Sequence, residues 1–394
     1  MINRILMPRE MIVGGGCRFR LPSLVASLGA MRPLLIADPA MARLGHAGAL
    51  VEALRKENII ASVFTDVVED PTDLSVKAAV AFIEANGNDC IVALGGGSAI
   101  DTAKAAAIVA SAGEDLTALK VPRIVDFAVM PVIAIPTTAG TGSEVTRAAV
   151  ITDTASSEKM LILGTAALPV AALIDYELTL TCPYRVTVDT GIDAMTHALE
   201  SLVNRNGNPH AEALALSALK LIGANLDKVA SYPQDLAARE AMMLGATHAG
   251  LAVSNTSTAL IHGLSRPIGA FFHVPHGMSN AMVLPLVTRY SLATAPRHYA
   301  AAARALGVAA TTDTDAAAGK KLVGAFVEMN VRLKVPTPLA FGINKEEYFR
   351  RIPEMVRQGL ASGTPQNNPR VPDVSQMSRL YELAYDGRLE EFPL

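Results

Sequence analysis

Cysteine is scarce in this chain: three residues in 394, Cys17, Cys90 and Cys182, isolated from one another and without any CxxC spacing. That excludes a disulfide framework and a thiolate zinc site and fits reduced thiols in the cytoplasm, each expected as buried filler. Charge of one sign is lacking too. Lys and Arg number 34 against 37 Asp and Glu, with no basic run of five or more, so nothing points to a nucleic-acid or membrane-surface partner and a small-molecule substrate is expected. Although 51% of residues are hydrophobic, much of that is alanine, and Asp101 and Lys104 interrupt the most apolar segment well before it could span a bilayer. The start, MINRILMPREMIVGGG, has no sustained apolar region before its charges, so no secretory signal is expected and the mature protein is read as beginning near Met1. Internal repeats and low-complexity linkers are absent, and GTPQNNPRVPD at 363–373 is expected as an exposed loop between late helices.

What is present divides into two halves, as expected for a chain longer than the roughly 250–300 residues at which single cores stop growing. Up to residue 182, apolar runs such as RPLLIAD, IIASVFTDV and DCIVALGG alternate with amphipathic ones such as HAGALVEALRKEN and LSVKAAVAFIEANG. Strands alternating with helices imply parallel βαβ units, hence an α/β nucleotide-binding domain over 1–182. After Pro183, alanine- and leucine-rich stretches such as HAEALALSALKLIGANLDKVA take over, and an all-helical domain carrying metal and substrate is expected over 183–394.

DCIVALGGGSAIDTAKAAAIVA reads as strand, glycine turn and helix, which aims free N–H groups and the positive end of a helix dipole at whatever lies above the turn. A pyrophosphate is the natural guest. Gly95, Gly96 and Gly97 permit close backbone approach, Ser98 can donate or cap, and Asp101 falls in the first helical turn. The run departs from GxGxxG, and tight turns also use glycine for purely steric reasons. A second loop after a strand, PVIAIPTTAGTGSEVT, offers Thr137, Thr138, Thr141 and Ser143. Asp38 closes PLLIAD, where a carboxylate can bond ribose hydroxyls and repel a 2′-phosphate, favouring NAD over NADP. Asp followed by Pro39 is equally how a helix is capped, and the two readings are compatible. The glycines at 14–16 are read as a turn, with a cofactor role open.

The densest chemistry is one carboxylate and three imidazoles. Asp193 and His197 in GIDAMTHALE are four apart in a proline-free segment, so on a helix both point the same way. His262 and His276 are fourteen apart, but Pro267, Gly269 and Pro275 prevent one unbroken helix, so a turn must bring the second histidine back beside the first. Three nitrogens and one hard oxygen suit Fe(II), Zn(II) or a similar ion. A lone histidine pair at helical spacing would more often be ordinary packing; four groups together are not.

These blocks carry a resemblance. ALIDYELTLTCPYRVTVDTGIDAMTHALE at 172–200, GGGSAID at 95–101, PTTAGTGSEVT at 136–146 and HGLSRPIGAFFHVPHG at 262–277 resemble, in the same order, blocks of the iron-containing (group III) alcohol dehydrogenases. The resemblance implies a dehydroquinate synthase-like fold and an NAD(P)-dependent alcohol dehydrogenase or aldehyde reductase. It also implies hydride transfer to or from nicotinamide in the interdomain cleft, metal at Asp193, His197, His262 and His276, a cofactor-facing Lys159, and a homodimer. The metal would stabilise charge developing on the substrate oxygen. One position departs from the pattern: similar enzymes commonly read HxxxH from the first of the two later histidines, whereas HGLSR places Arg266 there. Arginine cannot act as a base near neutral pH, so the proton leaves by water and ribose hydroxyls or His273 takes over. Arg266 either reads an anionic substrate group or serves a structural pairing, and His276, Arg266 and His273 are the candidate catalytic residues. Glycerol dehydrogenase-like and maleylacetate reductase-like enzymes of the same fold, and a silent NAD-binding protein, are the alternatives; the ligand set argues against a dehydroquinate synthase-like lyase.

Overall fold

Aliphatic runs too short for helices become the strands β1 (Glu10–Val13), β2 (Pro33–Ala37), β3 (Ser62–Phe64), β4 (Cys90–Gly95), β5 (Val132–Pro136) and β8 (Ala171–Ile174), with β6 (Ala148–Thr152) and β7 (Lys159–Leu163) forming a separate antiparallel hairpin. The structure, a computed structural model, describes residues 4–156, 158–389 and 392. Residues 4–181 form one compact unit and residues from 182 onward another.

In the first unit six strands make one sheet in the order β1-β8-β5-β4-β2-β3, every pair parallel. Helices α1 (Leu21–Ser27), α2 (Pro39–Arg43), α3 (His46–Lys56), α4 (Asp73–Asn86), α5 (Gly97–Ala112) and α6 (Leu116–Leu119) connect the strands. The strand period of two explains the continuous apolar runs. Leu34, Ile36, Ile91 and Ala93 pack toward α4 and α5, while Leu35, Ala37, Val92 and Leu94 pack toward α1 and α3. From β2 the chain steps outward to β3 and then returns to the other side of β2 to lay down β4. The loops after β2 and β4 therefore diverge, and the crevice beyond their carboxyl ends is where open α/β sheets receive ligands. Asp38 and Gly95–Gly97 stand there, joined by the Asp38 N–H donating to Leu94 O at 2.9 Å. Cys17 and Cys90 are buried free thiols, each pushed up to about 12 by desolvation; Cys182 is only partly buried, contrary to the expectation of filler at all three.

The second unit is helical throughout its described residues: α7 (Tyr184–Val203), α8 (Pro209–Ser231), α9 (Leu236–Ser254), α10 (Leu260–Phe272) and α11 (His276–Ser291), followed by helices at Pro296–Ala305, Asp315–Arg332, Lys345–Ala361 and Val374–Asp386. The α7 helix is a core element, buried almost without interruption from Thr187 to Val203. It lies close to its neighbours because Gly191 has no side chain: a Cβ there would stand 2.6 Å from Leu226 Cδ1. The start of α11 is pressed onto α7 in the same way, since a Cβ on Gly277 would overlap the Asp189 carbonyl. That contact lies one turn before Asp193 and sets His276 beside it.

The expected break between His262 and His276 is present, and it falls at His273–Pro275, with His273 in the left-handed region at φ 53°; α10 runs through Pro267 to Phe272. The ring of a proline displaces only its own hydrogen bond to the residue four earlier, and tertiary packing holds the helix together. One expectation is corrected: the loop at 363–373 is not exposed along its length. Thr364, Pro365 and Asn368 are buried, Pro365 packs on Gly263 of α10, and the Asn367 side chain donates to Thr258 O at 2.9 Å. Among the described residues no helix is long and apolar enough to cross a membrane.

Candidate metal centre and cofactor loops

Three helices deliver four ligating groups to one point. Asp193 and His197 come from adjacent turns of α7, His262 from the first turn of α10 and His276 from the first residue of α11. The imidazole Nε2 atoms of His197, His262 and His276 lie 3.7, 3.5 and 3.6 Å from Asp193 Oδ1. Metal bonds of 2.0–2.2 Å at tetrahedral angles would separate ligand atoms by about 3.4 Å, so the spacing fits a divalent ion. Asp193, His262 and His276 form the tightest group, mutually within 4.8 Å, and His197 stacks on His262 with ring centroids 4.8 Å apart.

The electrostatics hold Asp193 ionised and bias His197 and His276 toward the neutral form. Desolvation works against the Asp193 carboxylate, but His197, His276 and His262 outweigh it and hold Asp193 ionised far below the ordinary carboxylate range. His276 keeps about half of its side chain open to solvent, yet desolvation and the positive charges of His262, Arg266 and His197 push it down to about 4, against the pull of Asp193. His197 is likewise lowered, by burial first. His262 moves the other way, raised by Glu200 and Asp193 against desolvation. Three imidazoles around one fixed negative charge suit a metal ion.

Three supporting side chains were not anticipated. Glu200, fully buried, holds His262: its Oε2 is 2.6 Å from His262 Nδ1 and its Oε1 accepts the His262 backbone N–H at 3.2 Å. This fixes the Nδ1–H tautomer and turns the Nε2 lone pair inward. The signal was present, because Asp193, His197 and Glu200 follow an i, i+4, i+7 spacing on one helix face. Asn280, one turn beyond His276, donates from Nδ2 to Asp193 Oδ1 at 2.7 Å and accepts from Ser265 Oγ. Its Nδ2 also lies 3.2 Å from His262 Nε2 and 3.5 Å from His276 Nε2. By contrast, His197 Nδ1 is buried without a hydrogen-bond partner, so no side chain orients its ring as Glu200 orients His262.

Of the remaining candidate catalytic residues, Arg266 follows His262 by one turn of α10 and its Nη2 donates to Thr258 Oγ1 at 3.4 Å. His273 is exposed at the end of α10, with no hydrogen bond or ion pair to the four ligands among the described residues.

In the first unit Gly96 caps α5 without any side-chain bond, which leaves the first N–H groups of a sixteen-residue helix free for an anion. A Cβ on Gly95 would stand 2.6 Å from Ala99 Cβ and 3.0 Å from Asp38 Cβ, and one on Gly97 would stand 2.9 Å from Thr141 Cγ2. Thr138 lies against Gly96, Ser98 occupies the first turn of α5, and Thr137 is buried where β5 ends. Asp38 caps α2, accepting the Ala40 N–H at 2.7 Å through one oxygen, so the capping reading holds and the second oxygen is left for another partner. Lys159 pairs with Asp70 at 2.6 Å at the start of β7.

Asp101 and Ser143 are spent on a buried network. Ser143 Oγ donates to Asp101 Oδ1 at 2.5 Å, and Asp101 Oδ2 accepts the Val150 N–H at 2.9 Å. Lys104, wholly buried, donates to Ser143 Oγ, Thr146 O and Ala148 O at 2.9–3.0 Å. Desolvation brings the Lys104 ammonium down to about 8 against the pull of Asp101 and Glu144. These groups tie α5 to the loop after β5 and so set the two glycine-containing loops beside each other.

Comparison with known proteins agrees with this architecture. Residues 8–176 match the model for iron-containing alcohol dehydrogenase and residues 187–385 that for the C-terminal part of the Fe-containing alcohol dehydrogenase family. The NAD-dependent methanol dehydrogenase of Bacillus methanolicus is 30% identical over 97% of this chain and 100% of its own length. A 1,3-propanediol oxidoreductase structure superposes with a TM-score of 0.93 at 29% identity, covering 98% of this chain and 100% of that one. The sulfoacetaldehyde reductase of Bifidobacterium kashiwanohense in complex with NAD+ gives 0.88 at 26% identity, covering 98% and 100%. With both halves matched and relatives aligned end to end, the chain belongs to the iron-containing alcohol dehydrogenase family.

Proposed function

We propose that the chain interconverts small alcohols and aldehydes by hydride transfer with NAD, using one divalent ion held by Asp193, His197, His262 and His276. The observation that carries the reading is the convergence of three Nε2 atoms to within 3.5–3.7 Å of one buried carboxylate oxygen. Bound there, the ion would supply Lewis-acid polarisation of the reacting carbon–oxygen bond, worth several kcal/mol of transition-state stabilisation. The protein's residues supply the rest. Asp193 is the only anionic ligand, so the centre keeps its positive charge, and Glu200 and Asn280 hold His262 and Asp193 in place. The free N–H groups at the start of α5 and the Gly95–Gly97 turn support a pyrophosphate position, with Ser98, Thr137, Thr138 and Thr141 around it. The uncapped oxygen of Asp38 at the switch point supports NAD over NADP.

Fe(II) is the ion of this reading, and Zn(II) suits the same donors. Three free cysteines support a reducing compartment such as the cytoplasm, and a homodimer rests on the family resemblance alone. Anaerobic loading of chelated protein with Fe(II), followed by NAD and a panel of primary alcohols, tests the reading through nicotinamide absorbance. Metal-dependent reduction is expected. NAD binding without any turnover across the panel and the reverse aldehyde reactions would instead mark a silent binder.

A further inference from the structure

The Arg266 guanidinium is a permanent positive charge beside the ligand set, and among the described residues it forms no ion pair, although Glu200 and Asp193 pull on it from farther away. It shares a face of α10 with His262, one turn farther along the helix. Its single hydrogen bond, to Thr258 Oγ1, is 3.4 Å long, and among the described residues no carboxylate comes within ion-pair distance of it. A structural arginine in a partly buried position is ordinarily matched by a carboxylate or several carbonyls, because an unmatched desolvated charge is costly. This one is not. The formal charges lead the same way: Asp193 and Glu200 against Arg266 leave one negative charge, and a divalent ion converts that into one positive charge.

We propose that Arg266 binds an oxyanion on the substrate, and that the preferred substrates are short aldehydes and alcohols carrying a carboxylate or sulfonate at the end away from the reacting carbon. The assignment rests on the dehydrogenase reading above and names its substrate class. In the reductive direction reduced nicotinamide gives hydride to the carbonyl carbon, a solvent proton goes to the oxygen, and a hydroxylated anion and oxidised nicotinamide leave. Arg266 takes no part in the proton transfer. Its planar fork matches an oxyanion through paired N–H groups, a geometry a lysine reproduces only as a point charge.

The test uses metal-loaded protein with reduced nicotinamide and three aldehydes: 4-oxobutanoate, 3-oxopropane-1-sulfonate and butanal. The wild type is expected to favour at least one anionic aldehyde over butanal by about tenfold or more in kcat/KM, the better of the two naming the oxyanion. Arg266→Gln should lower that ratio at least fivefold, and Arg266→Lys should retain more of it than Arg266→Gln. No preference for either anion in the wild type, or a preference that survives intact in Arg266→Gln, overturns the assignment. Calorimetric titration with butanoate and butanamide gives a readout without turnover. Butanoate should bind the loaded wild type more tightly than butanamide, and Arg266→Gln should lose that difference. If Arg266→Gln does not fold, the wild-type ratio and Arg266→Lys still decide. If none of the three aldehydes is reduced, the dehydrogenase reading fails, while the butanoate titration continues to judge Arg266.

Discussion

Replacing Glu200 by glutamine keeps the shape of a buried side chain and exchanges one acceptor oxygen for an NH2 group. Both carboxylate oxygens are committed: Oε2 to His262 Nδ1 at 2.6 Å and Oε1 to the His262 backbone N–H at 3.2 Å. Burial opposes ionisation of Glu200, but the charge of His262 and these hydrogen bonds outweigh it and keep its pKa below the ordinary value. A glutamine cannot satisfy the same donors. With its oxygen toward Nδ1–H, its NH2 meets the His262 backbone N–H; with its NH2 toward Nδ1, the ring must carry its proton on Nε2, the atom that faces Asp193. Either arrangement weakens His262 as a ligand. Partners of this kind change metal affinity by about 10–100-fold, or about 1.4–2.8 kcal/mol. Competition between Glu200→Gln protein and a chelator of known affinity measures the change directly. Affinity within twofold of wild type, in protein with unchanged circular dichroism, would refute the argument that Glu200 orients the ligand.

Three further outcomes follow from the same geometry. Asn280→Ala removes the 2.7 Å donor to Asp193 and leaves Ser265 unpaired, so metal affinity should fall about tenfold; an unchanged chelator titration would assign Asn280 to packing alone. Lys104→Met strands the Asp101 carboxylate and the Thr146 and Ala148 carbonyls and should cost about 3 kcal/mol in urea unfolding, with a loss under 1 kcal/mol counting against the network. Asp38→Gly should raise kcat/KM for NADP relative to NAD by about 1–3 kcal/mol in free-energy terms, an outcome excluded if the wild type already prefers NADP.

The cluster of Asp193 with three histidines was legible in the sequence because helical spacing alone puts Asp193 and His197 on one face, and the chain between His262 and His276 had to turn. Glu200 continued the same spacing but was hidden by an apolar helix, where a carboxylate looks like an accident until its partner is seen. Asp101 and Ser143 carry bonds that spacing did not disclose, because Lys104 meets Ser143 across 39 positions of sequence. Strand order is a tertiary property, so the crevice between β2 and β4, which gives Asp38 its meaning, could not be read from periodicity. The burial of 363–373 depends on α10 in the same way: a segment rich in proline and asparagine is polar enough for solvent, and only its packing on Gly263 makes it part of the core.

The most direct test of the central claim is a titration of chelated protein with Fe(II) under anaerobic conditions, following alcohol-dependent reduction of NAD at each addition. The rate should rise from background and level off at one ion per chain, and His262→Ala should neither bind that ion with comparable affinity nor recover the rate. A rate independent of added metal, or a His262→Ala protein that titrates and turns over like the wild type, would contradict the assignment of Asp193, His197, His262 and His276 as the working metal centre.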